Sequence, residues 1–429
     1  MKQESQAFEL DVASPAHSGE INSDDDAGQN LALSKEAPVW LPGVAGAAIA
    51  LTRIFIGVLT LKVQAGTITP GPFGRPPSTI SLGAFSHWDS GWIEIIVRHG
   101  YLNPQSCAFY PAYPLVVRFV HFLIGGPIPT SSIAVALSWT FFIAACALLG
   151  QILAKQLGTR ASLMGVSLLA LSPASIFFLS EYAESLILLL TVASAFFALR
   201  RHWVLAAILA GLASSAGPIG ALYGVSLAAG YLVENRTWLR TLFILVLGEL
   251  GSIGYAVFLW VRFGNPLENI AVQKDWIRHA VFPFSALFQN AYLVLTNKVH
   301  FAPLPLPSSN LNMAAVWIID DAMGFACLVA LIAFGILAYR SKSLFGIAPS
   351  WLIFAVLVLL VTNSSAIVTD GNFPSTEAIA RLLGSSFAFY AIAAFLVARY
   401  RVLAGPAVII SSFLAFSAQI LFMMGFWMT

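Results

Sequence analysis

Charge is what this chain has least of. Only 10% of its 429 residues are Asp, Glu, Lys or Arg, while 58% are hydrophobic. A soluble domain carries about 25% charged residues, so a soluble globular protein is excluded and a polytopic membrane protein is expected. The formal net charge of +2 gives no pointer to nucleic acid, and none is expected as a partner. Cysteine is scarce as well. Cys107, Cys146 and Cys327 are too few and too scattered for a disulfide framework or a zinc site, and no CxxC occurs. Acids are scarce outside the first 37 residues, which hold eight of the twenty. That stretch has the Asp24-Asp25-Asp26 run, with Ser, Gly, Ala and Gln around it. It cannot bury a core and is expected to be a disordered acidic tail, leaving residues 38–429 as the membrane domain. It has no basic region followed by an apolar run, so it does not read as a signal peptide.

Long apolar runs are what the chain has in plenty. A membrane-crossing helix needs about 20 such residues. Spans are expected near 39–64, 129–153, 160–179, 182–199, 238–262, 313–339, 345–362, 382–398 and 403–426. The apolar stretch 203–232 is broken by Gly217-Pro218-Ile219-Gly220, which suits one kinked helix or two helices meeting at the break. Counted as a hairpin, it brings the total to about eleven segments, and the basic residues then sort by side. Lys155 with Arg160, Arg200 with Arg201, Arg236 with Arg240, Arg340 with Lys342, and Arg399 with Arg401 all fall on one face, the cytoplasmic one. The other face receives loop 65–128, the turn at Ser180–Ser185, the Gly217–Gly220 break, and segments 263–312 and 363–381. A single crossing at 203–232 would invert every later loop and break the charge rule. The expected fold is therefore an all-α polytopic bundle whose irregular, polar sequence gathers outside.

The most unusual stretch lies in the first of those outer loops. His87-Trp88-Asp89-Ser90-Gly91-Trp92 leads through Gly100-Tyr101 to Ala108-Phe109-Tyr110-Pro111-Ala112-Tyr113-Pro114. Asp89 is the only acid between Glu36 and Glu94. Residues 85–100 are expected to form an amphipathic helix on the membrane, ended by Gly100, with Trp88, Trp92, Ile95, Ile96 and His99 as its apolar face. Asp89 falls in its first turn, where a negative charge also suits the helix dipole. A lone acid between two interfacial tryptophans reads either as that simple terminal charge or as a catalytic or binding group.

These motifs resemble the PIG-V family of mannosyltransferases. The family pattern is roughly W/F-D-x-x-W/H-F/Y-x-x-I-A-x-x-G-Y followed by A-F-F-P-L-Y-P. Two further blocks agree in order. Pro173-Ala174-Ser175-Ile176-Phe177-Phe178 with Tyr182-Ala183-Glu184-Ser185-Leu186 is similar to P-x-x-x-F-F…Y-S-E-S-L. Gly264-Asn265-Pro266-Leu267 with Gln273 and Trp276 is similar to G-D-P-L…Q…W. The chain departs where the family has Arg-Pro-x-Gly, here Gly217-Pro218-Ile219-Gly220, and where it has Arg-Tyr, here Arg381-Leu382. Asn265 stands in place of the acid of G-D-P-L.

The resemblance implies a GT-C-type fold with interfacial helices in the first outer loop. It implies an inverting transfer of a hexose, mannose in this family, from a polyprenyl- or dolichyl-phosphate donor. The acceptor would be a lipid, a glycolipid resembling a glycosylphosphatidylinositol (GPI) precursor, or a protein, on the extracytoplasmic face of a bacterial inner membrane or the endoplasmic reticulum. Asp89 would be the general base. Glu184, and with it Glu181, would bind sugar hydroxyls or align Arg381. Lys274, Arg278, His279 and Arg381 are candidates to compensate the donor phosphate, with headgroup attraction as the plainer reading. Trp88, Trp92, Tyr101, Tyr110, Tyr113 and Gln273 are further candidates for sugar or lipid contact, the aromatics being equally suited to an interfacial belt. Membrane lipids are expected partners, and an accessory membrane subunit is compatible.

A metal is not expected. His87 and His99 are twelve residues apart, ~18 Å along a helix, too far to share an ion. An ion held by His87, Asp89 and a lipid phosphate is the remaining arrangement for a divalent metal. Asp320-Asp321 lies inside the apolar span 313–339. It reads as a polar contact in the bundle or a cation site, and it would carry the alternative function, a transporter or lipid flippase.

Overall fold

Backbone in lipid must satisfy its own hydrogen bonds, so apolar runs of this length become helices. The computed structural model describes residues 38, 40–64, 82–276, 278–296, 310–368, 374–376 and 378–423. The acidic tail 1–37 lies outside the described residues, as do parts of loop 65–128 and of segments 263–312 and 363–381.

The first part of the chain comprises α1 (Leu41–Gln64), α2 (Asp89–His99), α3 (Ala112–Ile124), α4 (Thr130–Leu157), α5 (Thr159–Ala170), α6 (Ser175–Leu179) and α7 (Glu184–Leu199). Next come α8 (Trp203–Ser214), α9 (Pro218–Asn235), α10 (Trp238–Gly248), α11 (Leu250–Phe263) and α12 (Glu268–Ala271). After a short strand β1 (Arg278–Ala280) follow α13 (Ser285–Leu295), α14 (Asn310–Ser341) and α15 (Pro349–Thr362). Strands β2 (Ser365–Val368) and β3 (Pro374–Ser375) then lead to α16 (Ile379–Gly384), α17 (Phe387–Arg399) and α18 (Ala404–Met423).

Every apolar stretch expected to be a span is mainly helical over its described part, although several are interrupted, as at 171–174, 345–348 and 385–386. Among the described residues, four helices are by length and composition able to cross a membrane: Leu41–Thr60, Thr130–Leu157, Ile318–Ser341 and Arg401–Met423. The pair α10 and α11, bent by 54° at Glu249, makes a fifth if it is one span. The remaining stretches are shorter helices, so a count of eleven crossings does not follow from helix length. Large apolar side chains such as Phe122, Trp238, Leu239, Val261 and Phe413 are exposed, as befits a surface that faces lipid.

Sequence explains most of the breaks. Pro173 has no N–H to donate and disfavours helix in the residue before it, so the expected helix 160–179 is divided into α5 and α6. The Gly217–Gly220 break yields two helices, α8 and α9, with Pro218 opening the second. At Gly220 a Cβ would come within 1.9 Å of the Ala213 carbonyl oxygen, so only glycine permits this tight return.

Two expectations need correction. The helix near 85–100 starts only at Asp89, because Trp88 sits at φ 58° and ends the preceding irregular stretch. Its protein-facing side is Ser90, Ile93, Ile96 and Val97, whereas Ile95 and His99 are exposed. The expected apolar face is thus right in part, since Ile96 is buried and Trp88 packs against the core. Gly100 does end it, with φ 74° and its N–H on the Ile96 carbonyl. The bundle is also not purely helical. β1, β2 and β3 form an antiparallel sheet in that order, with Arg278 opposite Ile367 and Ile367 opposite Ser375. Strands of two to four residues are too short to show an alternating pattern.

Helix α4 runs through the core, burying Phe142, Ala145, Cys146, Leu149 and Leu153. A second aromatic cluster joins α9, α15 and α17 through Tyr223, Phe354, Trp351 and Phe387, with ring centroids 5.0 Å apart for Tyr223–Phe354 and 5.4 Å for Trp351–Phe387. Arg53 of α1 is buried and donates from Nε to the Ala170 carbonyl at 3.1 Å, so backbone acceptance accounts for part of its charge. The three cysteines are free and buried.

Candidate functional site

The segment before α2 is fastened to the turn between α6 and α7. Glu181 N donates to the Phe85 carbonyl at 3.0 Å, Tyr182 Oη to the His87 carbonyl at 3.0 Å, and Ser90 Oγ to the Glu181 carbonyl at 3.2 Å. Ser86 Oγ donates to Glu181 Oε2 at 2.5 Å. These bonds set the start of α2 beside the start of α7, so Asp89 and Glu184, each the first residue of its helix, stand near one another.

Arg381 of α16 joins them. Its Nη1 meets Asp89 Oδ2 at 2.5 Å, and its Nε donates to Glu184 Oε1. The guanidinium lies 4.7 Å from the Tyr182 ring centroid and 5.6 Å from that of Phe177, within cation–π range. Side-chain exposure is 17% for Arg381, 16% for Asp89 and 5% for Glu184. Two carboxylates on one guanidinium leave a net negative charge. Glu184 Oε2 is buried with no hydrogen bond among the described residues, an acceptor whose solitude is costly unless a ligand meets it.

These three residues line a cavity of about 370 Å³. Arg278 of β1 lines it too, with Tyr110, Asn269, Gln273, Thr362 and Ser385 as polar neighbours and Phe109, Ile187, Pro218, Ile219 and Leu222 as apolar ones. The lining comes from the first loop, the 180–185 turn, the 217–220 break, and the segments after α11 and α15. Those are the five regions that the charge rule placed on one side. Ala112 N donates to the Ser215 carbonyl at 2.9 Å, tying the first loop to the break. Asn269 Nδ2 donates to Tyr110 Oη at 3.0 Å, tying it to the segment after α11.

Of the residues singled out from sequence, Asp89, Tyr110, Tyr113, Glu184, Gln273, Arg278 and Arg381 line the cavity. Tyr113 lines it with its hydroxyl already engaged, donating to the Ala134 carbonyl at 2.9 Å and lying 2.7 Å from Ser138 Oγ. The others stand outside it. Trp88 packs against the core. Trp92 stacks on Phe109 at 6.0 Å, backing a lining residue. Tyr101 Oη donates to the Phe109 carbonyl at 2.7 Å. Lys274 and His279 are exposed. Glu181 turns to Ser86 rather than to the cavity. Among the described residues, no three His, Cys, Asp or Glu side chains gather as metal ligands. Sequence reading passed over the polar lining residues Asn269, Thr362, Ser365 and Ser385; the one signal for Asn269 is its place one helical turn before Gln273.

Burial raises the Glu181 carboxyl to about 7, against the opposing bond from Ser86; Glu94 raises it further and Arg98 lowers it. Burial also lowers His87 from its ordinary value. An acid whose folded value is raised contributes stability that is fully present below its unfolded value, ~4.3, and is lost as pH rises through about 7. Wild-type thermal stability is therefore expected to fall between about pH 4.5 and pH 7.5, and Glu181→Gln to flatten that slope. A slope equal in the two proteins, measured by thermal unfolding in lipid or detergent, would remove Glu181 as its source.

Fold and site together define a helical membrane protein with an acid–arginine–acid cluster set in one cavity. Comparison with known proteins gives that class a family likeness. Residues 78–232 match the family described as Mannosyltransferase (PIG-V), so the resemblance read from the motifs holds over that region. GPI alpha-1,6-mannosyltransferase 2 of Homo sapiens is 35% identical over 118 residues, which are 26% of this chain and 24% of that protein. GPI mannosyltransferase pigv-1 of Caenorhabditis elegans is 28% identical over 140 residues, 29% of this chain and 21% of that protein. The matched region thus spans about a quarter of the length of these curated relatives. Among solved structures, the oligosaccharyltransferase of Archaeoglobus fulgidus aligns with a TM-score of 0.44 at 12% identity, covering 87% of this chain and 53% of that one.

Proposed function

We propose that this chain is an integral-membrane glycosyltransferase of the GT-C type, an inverting mannosyltransferase that uses a polyprenyl- or dolichyl-phosphate-linked donor. The observation that carries the reading is the cluster of Asp89, Arg381 and Glu184 in a cavity built from five loop regions. The matching family and the relatives, named as GPI mannosyltransferases, support the sugar and a lipid or glycolipid acceptor; a protein acceptor has the same hydroxyl chemistry. The eleven-segment path with its five basic loops supports an extracytoplasmic site.

In this mechanism Asp89 takes the proton of the acceptor hydroxyl through Oδ1, the oxygen opposite its ion pair. The acceptor oxygen bonds to C1 of the sugar as the bond from C1 to the phosphate oxygen breaks, with inversion. The hydroxyl becomes strongly acidic only as its oxygen bonds to carbon, so a carboxylate is a sufficient base. The lipid phosphate leaves carrying the electron pair, and Arg278 compensates its growing charge. Glu184 Oε2 accepts from a sugar hydroxyl. Cavity volume falls in the range of small-molecule sites, about 300–1,000 Å³.

The transporter reading placed its coupling acids at Asp320 and Asp321. Both carboxylates hydrogen-bond the segment that carries Arg381, which favours a structural task for them. The test of the transferase reading is a panel of polyprenyl-phosphate hexoses offered to purified protein in lipid vesicles with a glycolipid acceptor. Transfer is expected from the mannosyl donor, with the anomeric configuration of the product opposite to that of the donor. No transfer from any donor, or retained configuration, would overturn it.

A further inference from the structure

Asp320 and Asp321 are neighbours on α14, 2% and 7% exposed. Acids buried in an apolar helix are costly unless hydrogen-bonded. Asp320 Oδ1 accepts from the backbone N–H of Ala380 at 2.7 Å. Asp321 Oδ1 accepts from Thr376 Oγ1 at 2.7 Å, and Thr376 in turn accepts from Asn290 Nδ2 of α13 at 3.2 Å. Both acids therefore grip the short stretch of chain that leads into α16.

Helix α16 needs that grip. It has six residues, and the residue before it, Ala378, lies at φ 69° with no side chain able to cap. A helix this short does not hold itself, and its first N–H groups need acceptors from elsewhere. Asp320 supplies one from a different helix. Gly324, one turn further along α14, lies against both neighbours: a Cβ there would come within a tight 3.0 Å of Leu287 Cδ1 on α13 and an ordinary 3.6 Å of Ile379 Cγ2 on α16. The residue after Ala380 is Arg381, which holds Asp89 and Glu184.

We propose that Asp320, backed by Asp321, is a positioning residue: it caps α16 from the neighbouring helix and so fixes where Arg381 holds the two carboxylates of the cavity. The consequence for catalysis rests on the transferase reading; the cap itself does not. Misplacement of a reacting group by about 1 Å costs on the order of 10²-fold in rate, so the cap acts on turnover more than on donor binding.

The experiment pairs two measurements on the full chain in lipid. Amide hydrogen exchange over 379–384 is expected to be roughly tenfold faster in Asp320→Ala than in wild type. Asp320→Asn, whose amide oxygen still accepts from Ala380 N, should stay within about threefold. Turnover should fall about 10²-fold in Asp320→Ala with donor KM within about threefold, and recover in Asp320→Asn. Unchanged exchange in Asp320→Ala overturns the cap, as does an Asp320→Asn variant as impaired as Asp320→Ala. If wild type transfers no sugar, the transferase reading falls, while the exchange data still decide the cap. If Asp320→Ala fails to fold, Thr376→Val carries the test: faster exchange over the same residues supports the grip, and unchanged exchange overturns it.

Discussion

Arg381→Ala is expected to lower stability by about 3–5 kcal/mol, the usual cost of removing one partner from a buried ion pair, and to abolish measurable transfer. The size of the effect follows from geometry. Nε and Nη1 of one guanidinium serve two carboxylates on different helices, and all three side chains are at most 17% exposed. Without the cation, Asp89 and Glu184 face each other as like charges with little water, and the tie between α2, α7 and α16 is lost. Arg381→Lys should recover part of the stability and little of the activity, because an ammonium is a point charge without the planar fork. Thermal unfolding alongside a transfer assay checks both. Wild-type stability and turnover in Arg381→Ala would show that the cluster holds neither fold nor site.

Asp89→Asn is the opposite kind of change. Asparagine is isosteric and its oxygen still accepts from Arg381, so fold and donor affinity are expected to survive. A general base contributes typically 10²–10⁴-fold, and kcat should fall by about that much. Glu184→Gln keeps an acceptor for a sugar hydroxyl and is expected to cost only about tenfold, the scale of one weakened hydrogen bond to a charged group. Donor binding by calorimetry and turnover at saturating donor separate the two roles. Equal losses for both variants would contradict the assignment of the base to Asp89.

Much of this was legible in the sequence, for reasons that differ by residue. Helices were legible because lipid leaves apolar backbone no alternative. Asp89 stood out as the only acid between Glu36 and Glu94, and Arg381 as one of the candidate cations for the donor phosphate. That Arg381 would align with Glu184 was an expectation of the family motif, but its pairing with Asp89 was not legible. Arg381 is 292 residues from Asp89, and no periodicity spans such a distance. Glu181 and Glu184 share one turn, and the motif favoured Glu184; the fold adds that Ser86 takes the first and Arg381 the second. The inner face of α2 was read only in part because its apolar residues are not confined to it, Ile95 lying on the exposed side with Arg98 and His99. The sheet that carries Arg278 escaped because its strands are shorter than one alternating pattern. Asp320 and Asp321 read as a polar contact in the bundle or as a cation site, and the two could not be separated because a sequence shows a buried acid without the N–H it serves.

The most direct measurement is transfer of labelled mannose from polyprenyl-phosphate-mannose by purified protein in lipid vesicles, wild type and Asp89→Asn side by side. Both proteins would first be shown to be folded by their thermal transitions. Labelled product from wild type, with a loss of at least about 10²-fold in Asp89→Asn, is the result predicted. Product formed at the same rate by both proteins would contradict it.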